Sequence, residues 1–100
     1  MANYILSKKA QEDLLKIWLY TVETWSGRQA DIYYNNLIQS FEYISDNPDN
    51  AGRSYEEVRS NYRGVHCGRH IIFYRKLKNG RVRIIRILHE KMDFGRHFSS

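Results

Sequence analysis

The spacing of apolar positions changes character once along the chain, near Pro48. Before it, Ala10, Leu14, Ile17, Trp18, Thr21 and Trp25 recur at three- and four-residue steps, which predicts one face of a helix. Lys9, Glu12, Asp13, Lys16 and Glu23 fall on its polar side, and Ser7 stands where an N-cap is needed. Ser26-Gly27 interrupts the pattern. Ser26 and Gln29 then have capping-box spacing, and Ala30, Tyr33, Tyr34, Leu37, Phe41 and Ile44 form the stripe of a second helix. That helix ends at Asp46-Asn47-Pro48, because the residue before a proline disfavours helical angles. Two helices with so short a link predict an antiparallel hairpin.

After Pro48 the residues become β-branched and alternating. Residues 49–57 read as a loop. Three strands are predicted, over about 58–65, 69–76 and 81–88, with Cys67-Gly68 turning the first pair and Asn79-Gly80 the second. Tyr4-Ile5-Leu6 is a short N-terminal strand candidate for one edge of the sheet. Residues 89–100 are polar and short, suited to one helical turn or to no regular structure. The expected class is α+β, in one domain over 1–100. An N-terminal strand and a helical hairpin pack on a mainly antiparallel sheet of three to four strands.

Composition narrows the function classes. The chain has 100 residues, 42% of them hydrophobic, enough for one packed core. No apolar run approaches the ~20 residues of a membrane span. The first residues lack the basic and apolar regions of a secretory signal, so a cytoplasmic location is expected. The single cysteine, Cys67, excludes an internal disulfide and a cysteine-rich zinc site, and reads as a small residue beside a turn. Residues 1–58 hold five Lys/Arg against nine Asp/Glu, while residues 59–100 hold eleven against two. All four histidines lie in this basic part. Such a field attracts an acidic partner or a phosphate backbone.

Candidate chemistry is sparse. Alternation places Val82, Ile84, Arg86 and Leu88 on one face of the last strand, so Arg86 interrupts an apolar row. It must meet a carboxylate, for which Asp93 and Glu90 are the candidates, or line an open cleft. His70 lies two residues along the same face from Ile72 and four from Tyr74, and a His70–Tyr74 proton-transfer pair is conceivable. His89, Lys91, Arg96 and His97 supply the residue types of a metal-free ribonuclease, or a solvated basic tail. No metal-ligand spacing, Gly-rich phosphate loop or G-x-S-x-G is present, and no cofactor is expected. The aromatics of the helices suit a core, and in part a groove that receives a protein partner.

Several segments resemble the ParE branch of the RelE/ParE toxins of bacterial toxin–antitoxin pairs. They are Tyr4-Ile5-Leu6-Ser7 with Ala10 and Asp13-Leu14; Trp25-Ser26-Gly27 with Gln29-Ala30; Asn47-Pro48; Tyr62-Arg63; Gly68-Arg69-His70-Ile71-Ile72-Phe73-Tyr74-Arg75; and Ile85-Arg86-Ile87-Leu88-His89-Glu90-Lys91-Met92-Asp93. They run in order through nearly the whole chain. The resemblance implies the fold derived above and a toxin neutralised by a ParD-like antitoxin. The candidate antitoxin-binding residues are then Trp18, Trp25, Tyr33, Tyr34, Arg63, Arg69 and Arg75. It implies DNA gyrase as target, with Arg86, His89, Lys91, Met92, Asp93 and His97 as candidate target-binding residues and no catalytic residue. Neither a membrane nor direct sequence-specific DNA binding is expected.

The related RelE toxins cut messenger RNA on the ribosome, and Arg86, His89, Lys91 and His97 would be the corresponding groups here. Glu90 and Asp93, placed where RNA phosphate would sit, argue against that activity. A binding module without toxicity, acting only with its antitoxin as corepressor, is the third reading.

Overall fold

A computed structural model describes residues 3–98; Met1, Ala2, Ser99 and Ser100, which the expected domain and tail include, lie outside the described residues. The elements are β1 (Tyr4–Leu6), α1 (Lys8–Thr24), α2 (Gly27–Asp46), β2 (Arg53–Ser54), β3 (Arg63–Cys67), β4 (His70–Lys76), β5 (Val82–His89) and α3 (Phe94–Phe98). They build a five-stranded sheet in the order β1-β5-β4-β3-β2. β1 pairs with β5 in parallel, and every other pairing is antiparallel.

Local chemistry sets the helix ends. Ser7 Oγ accepts from Ala10 N at 3.0 Å and donates to Ile85 O at 2.7 Å, so the residue that starts α1 also ties it to β5. Ser26 caps α2 by accepting from Gln29 N at 3.0 Å. Ala10, Leu14, Leu37, Phe41 and Ile44 of the hairpin bury against Ile72, Tyr74, Val82, Ile84 and Ile87 of the sheet. The expected hairpin on an antiparallel sheet is therefore present.

The second face of the sheet is also covered, which the sequence pattern did not predict. Tyr55, Ile71, Phe73, Leu88 and Phe98 form a separate buried cluster, with Val58, Tyr62, Ile85 and Phe94 packed around it. Phe73 meets the rings of Tyr55, Phe94 and Phe98, each at a centroid distance of 5.0 Å and steeply inclined, the favoured edge-on arrangement. The tail that reads as polar thus folds into α3 and buries Phe98. The segment read as a loop contains β2, and the strand expected to begin at Val58 begins at Arg63. Residues 55–62 instead turn, with Asn61 at φ 67°, and lay Tyr55 and Tyr62 on the sheet.

The last strand does not alternate as expected. Tyr74 pairs with Ile84 and Phe73 with Arg86, which leaves Ile85 without an opposite residue. This bulge changes the face assignment: Val82, Ile84 and Ile87 join the hairpin-side cluster, while Ile85 and Leu88 join the other. The expected row of Val82, Ile84, Arg86 and Leu88 is therefore corrected. The Asn79-Gly80 turn does form. Only Gly80 adopts positive φ (84°), and Gly80 N donates to Leu77 O at 3.0 Å, which fits a type I turn followed by a left-handed glycine.

Removing the Phe98 side chain should expose the second cluster. Phe98→Ala is expected to cost about 3 kcal/mol in equilibrium urea unfolding. A loss below about 0.5 kcal/mol would mean that α3 does not hold this face closed.

Candidate functional site

Spacing alone puts Asp13 on the polar side of α1; in the fold it is buried, 8% exposed. Its carboxylate accepts from Arg86 Nε at 2.8 Å and from a second guanidinium nitrogen at 2.9 Å. It also accepts from Ile87 N at 3.0 Å. β1 pairs only with Val82, Arg83 and Ile84, so Asp13 supplies the acceptor that β5 lacks beyond its partner strand. The hydrogen bond to Asp13 is the largest influence raising the Arg86 pKa. Arg86 therefore meets a carboxylate, one of the two expected alternatives. Its partner is Asp13, not Asp93 or Glu90, and the side chain is not free to touch a target.

A groove of about 860 Å³ opens at the far end of the sheet, where the hairpin tip reaches past the strands. Lys16, Tyr20 and Trp25 of the α1 side form one wall with Gln29 and Tyr33 of α2. Gly68, Arg69, His70, His89 and Met92 form the floor and the opposite lip. Trp25 is 74% exposed and Met92 44%. Large apolar surface left open in this way marks an interaction site more often than it marks simple solvation.

Tyr33 anchors the floor. Its hydroxyl donates to Cys67 O at 2.7 Å and lies 2.8 Å from His70 Nδ1. One hydroxyl proton cannot serve both, so with Cys67 O as its acceptor the Tyr33 oxygen takes a proton from His70 Nδ1 in the second contact. Gly68 at φ 58° makes this approach possible; a Cβ there would lie 2.7 Å from the Tyr33 oxygen. Burial, then the neighbouring Cys67, push the Tyr33 hydroxyl up to about 12. Burial, then His89, lower the His70 pKa from its ordinary 6.5. The His70 and His89 rings stand edge to face at 5.5 Å, and His89 Nδ1 accepts from Lys91 N at 3.2 Å. His70 thus pairs with Tyr33 rather than with Tyr74. Tyr74 donates to Pro48 O at 2.7 Å and accepts from Arg63 Nε at 3.2 Å.

A scan against family models matches residues 4–94 to the ParE toxin of the type II toxin–antitoxin system, parDE. The chain belongs to the ParE toxin family. Toxin ParE1 of Caulobacter vibrioides is 38% identical over 97 residues, covering 97% of this chain and 98% of the relative. Toxin ParE1 of Mycobacterium tuberculosis is 35% identical over 96 residues, covering 96% and 97%. A solved chain from the chromosomal ParDE TA system from P. aeruginosa superposes with a TM-score of 0.77, covering 89% of this chain and 96% of that one. At 20% identity this last likeness speaks for the shared fold.

In this ParE chain the two expected sets of binding residues do not form two surfaces. Trp25, Tyr33 and Arg69 from one set share the groove with His89 and Met92 from the other. Trp18 and Tyr34 line the seam between the helices instead, with Trp18 Nε1 donating to Asp31 at 3.2 Å. Arg63 is held inside by Tyr74 and Gly52 O. Arg75 is exposed beside Pro48 and Lys76, away from the groove. Lys91 is exposed, and Asp93 accepts from Arg96 N at 3.4 Å at the start of α3. His97 is an exposed residue of α3, which packs on the sheet face opposite the hairpin. Of the four groups considered for RNA cleavage, His89 and Lys91 are neighbours, while Arg86 is tied to Asp13 and His97 lies on α3. Tyr20 is one of the helix aromatics expected to serve a groove in part, Gln29 and Gly68 were expected only as a helix start and a turn, and Lys16 joins the site without any sequence signal that singles it out.

Two measurements check the site. Arg86→Ala leaves a largely buried carboxylate unpaired, and a loss of about 3 kcal/mol is expected in urea unfolding; under about 0.5 kcal/mol would show that water replaces the guanidinium. The second concerns acid. Below pH 6.5 the unfolded chain binds more protons at His70 than the folded one does. Its contribution is thus complete above that pH and is lost as pH falls through the lowered folded value. The decline of stability between pH 7 and pH 5 should be shallower in His70→Gln, and equal slopes would remove His70 from the acid response.

Proposed function

We propose that the chain is a toxin that inhibits DNA gyrase without a catalytic residue of its own, and that a ParD-like antitoxin neutralises it by seating a segment in the groove. Family membership supports the toxin and its pairing with an antitoxin. The observation that carries the docking site is the open groove with Trp25, Tyr20 and Met92 exposed on its walls and Lys16 and Arg69 at its edge. Its occupant is a segment with apolar anchors and flanking carboxylates. Aromatic walls take the anchors, and the cations match the acids. The gyrase reading rests on the family resemblance and on the loss of two of the four candidate groups to other places, Arg86 to its pair with Asp13 and His97 to α3. A ribonuclease must hold base, acid and phosphorane-stabilising groups around one phosphate. A cytoplasmic site of action accords with this target, and among the described residues no helix is long and apolar enough to cross a membrane.

A gyrase supercoiling and cleavage assay tests both halves. The folded, antitoxin-free chain is expected to accumulate linear, cleaved DNA, and antitoxin to reverse it. Trp25→Ala should still poison gyrase but need roughly tenfold more antitoxin for reversal, since an exposed aromatic anchor contributes on the order of 1–2 kcal/mol. No effect on gyrase, from protein that still arrests growth, would overturn the target and bring ribosome-dependent RNA cleavage forward. Unchanged reversal of Trp25→Ala would move the antitoxin off the groove.

A further inference from the structure

Apart from Arg96 in α3 and Lys91, exposed in the turn after β5, the cations of the basic half divide into two kinds. Arg59 donates to Phe98 O, Arg63 to Tyr74 and Gly52 O, and Arg86 to Asp13. Arg69 lies near Glu90, and Lys76 pairs with Asp49. These cations hold the chain to itself. Arg75, Lys78, Arg81 and Arg83 do not: among the described residues, none of their side chains has a hydrogen bond or an ion pair. All four are exposed, and all four sit at the tip of the β4–β5 hairpin.

Their register concentrates the charge. Arg75 is the direct cross-strand partner of Arg83. Directly opposed residues in an antiparallel pair lie roughly 4.5–5.5 Å apart at Cα, and like charges so placed repel. Arg75 follows Phe73 by two residues, and Arg81 precedes Arg83 by two, so strand periodicity puts all three on the face away from the helical hairpin. No Asp or Glu occurs from Val58 to His89, and the two carboxylates that line the concavity beside Arg75, Asp49 and Glu56, are engaged by Lys76 and by Asn61 N. α3 and residues 55–62 cover this face further along, at Phe73 and Leu88; Glu56, Asn61 and Tyr62 reach the concavity beside Arg75, which itself stays exposed with Lys78, Arg81 and Arg83.

We infer that this hairpin tip is a contact surface for the phosphate backbone of double-stranded nucleic acid. An unpaired cation cluster on a rigid β-ribbon repels itself until anions arrive, and then needs little further ordering. Guanidinium forks match phosphate oxygens in geometry as well as charge. An acidic protein segment is the less suitable occupant, because protein interfaces have an apolar centre. None of the exposed large apolar side chains of the described residues falls between Ile71 and His89. The contact is sequence-independent, since it touches phosphate and not base edges. It is separate from the groove, and it stands whether or not the groove receives an antitoxin and whether or not gyrase is the target.

The test compares two charge-matched double variants of the free, folded chain binding a labelled duplex of about 20 base pairs and arbitrary sequence, by fluorescence anisotropy over a salt series. Arg75→Gln/Arg83→Gln removes the opposed pair. Lys8→Gln/Lys9→Gln removes two exposed cations at the start of α1 and controls for net charge. The first variant is expected to bind roughly tenfold or more weakly near 0.1 M salt. It should also lower the slope of log K against log salt by about 2, one for each phosphate that an arginine no longer neutralises. The control should stay close to the parent. Equal weakening of both variants would overturn the inference, since net charge alone would then explain the binding. So would an unchanged affinity of the first variant. Duplex binding retained while affinity for the antitoxin falls would also overturn it, and would assign the tip to an acidic protein segment.

Discussion

Asp13 joins three things that would otherwise be separate: the first helix, the guanidinium of Arg86 and the backbone of β5 at Ile87. β1 is too short to pair with all of β5, and the N–H of Ile87 would be left beneath α1 without an acceptor. A buried N–H in that position is unfavourable unless something accepts from it. The bulge at Ile85 and the carboxylate of Asp13 meet this need together. The bulge brings Ile87 back to the hairpin side and sends Leu88 to the second face, and Arg86 neutralises the carboxylate. Without the ion pair, a charge would stand in a nearly closed seam between α1 and β5.

That constraint positions the functional groove. With α1 anchored at Ser7 and Asp13 over the start and middle of β5, its remaining turns carry Lys16, Tyr20 and Trp25 beyond the end of the strands. The tip therefore overhangs the β3–β4 turn instead of packing on a strand. Tyr33 props this opening by bonding to Cys67 O and His70. Glycine at position 68 is needed twice there, for its positive φ and for the room it leaves the tyrosine ring. The groove is an outcome of lengths and anchors: a 17-residue helix crosses a sheet whose strands end sooner.

The charge asymmetry also looks different in three dimensions. Eleven cations in the second half suggest one basic face when counted along the chain. Folding withdraws several of them into structural service, at Asp13, Phe98 O, Tyr74 and Gly52 O. What remains is not spread evenly: the hairpin tip keeps a compact unpaired group, and the groove keeps Lys16 and Arg69 at its edge.

Sequence periodicity alone determined the hairpin of helices, its caps at Ser7 and Ser26, the strands β4 and β5 and the Asn79-Gly80 turn, because each depends on residues near one another in the chain; it placed the start of β3 five residues early. The family was legible as well, since its short blocks keep their order from Tyr4 to Asp93. Tertiary structure decided the rest. Only packing shows that a polar-looking tail buries Phe98 against Phe73, since Phe94 and Phe98 among so many polar residues leave no periodic trace. Only the register of β4 against β5 shows the bulge, which reassigns every later side chain of β5 to the other face. Asp13 and Arg86 are 73 residues apart, and Tyr33 and His70 in the groove are 37 apart. Spacing along one element carries no information about which distant element lies above it.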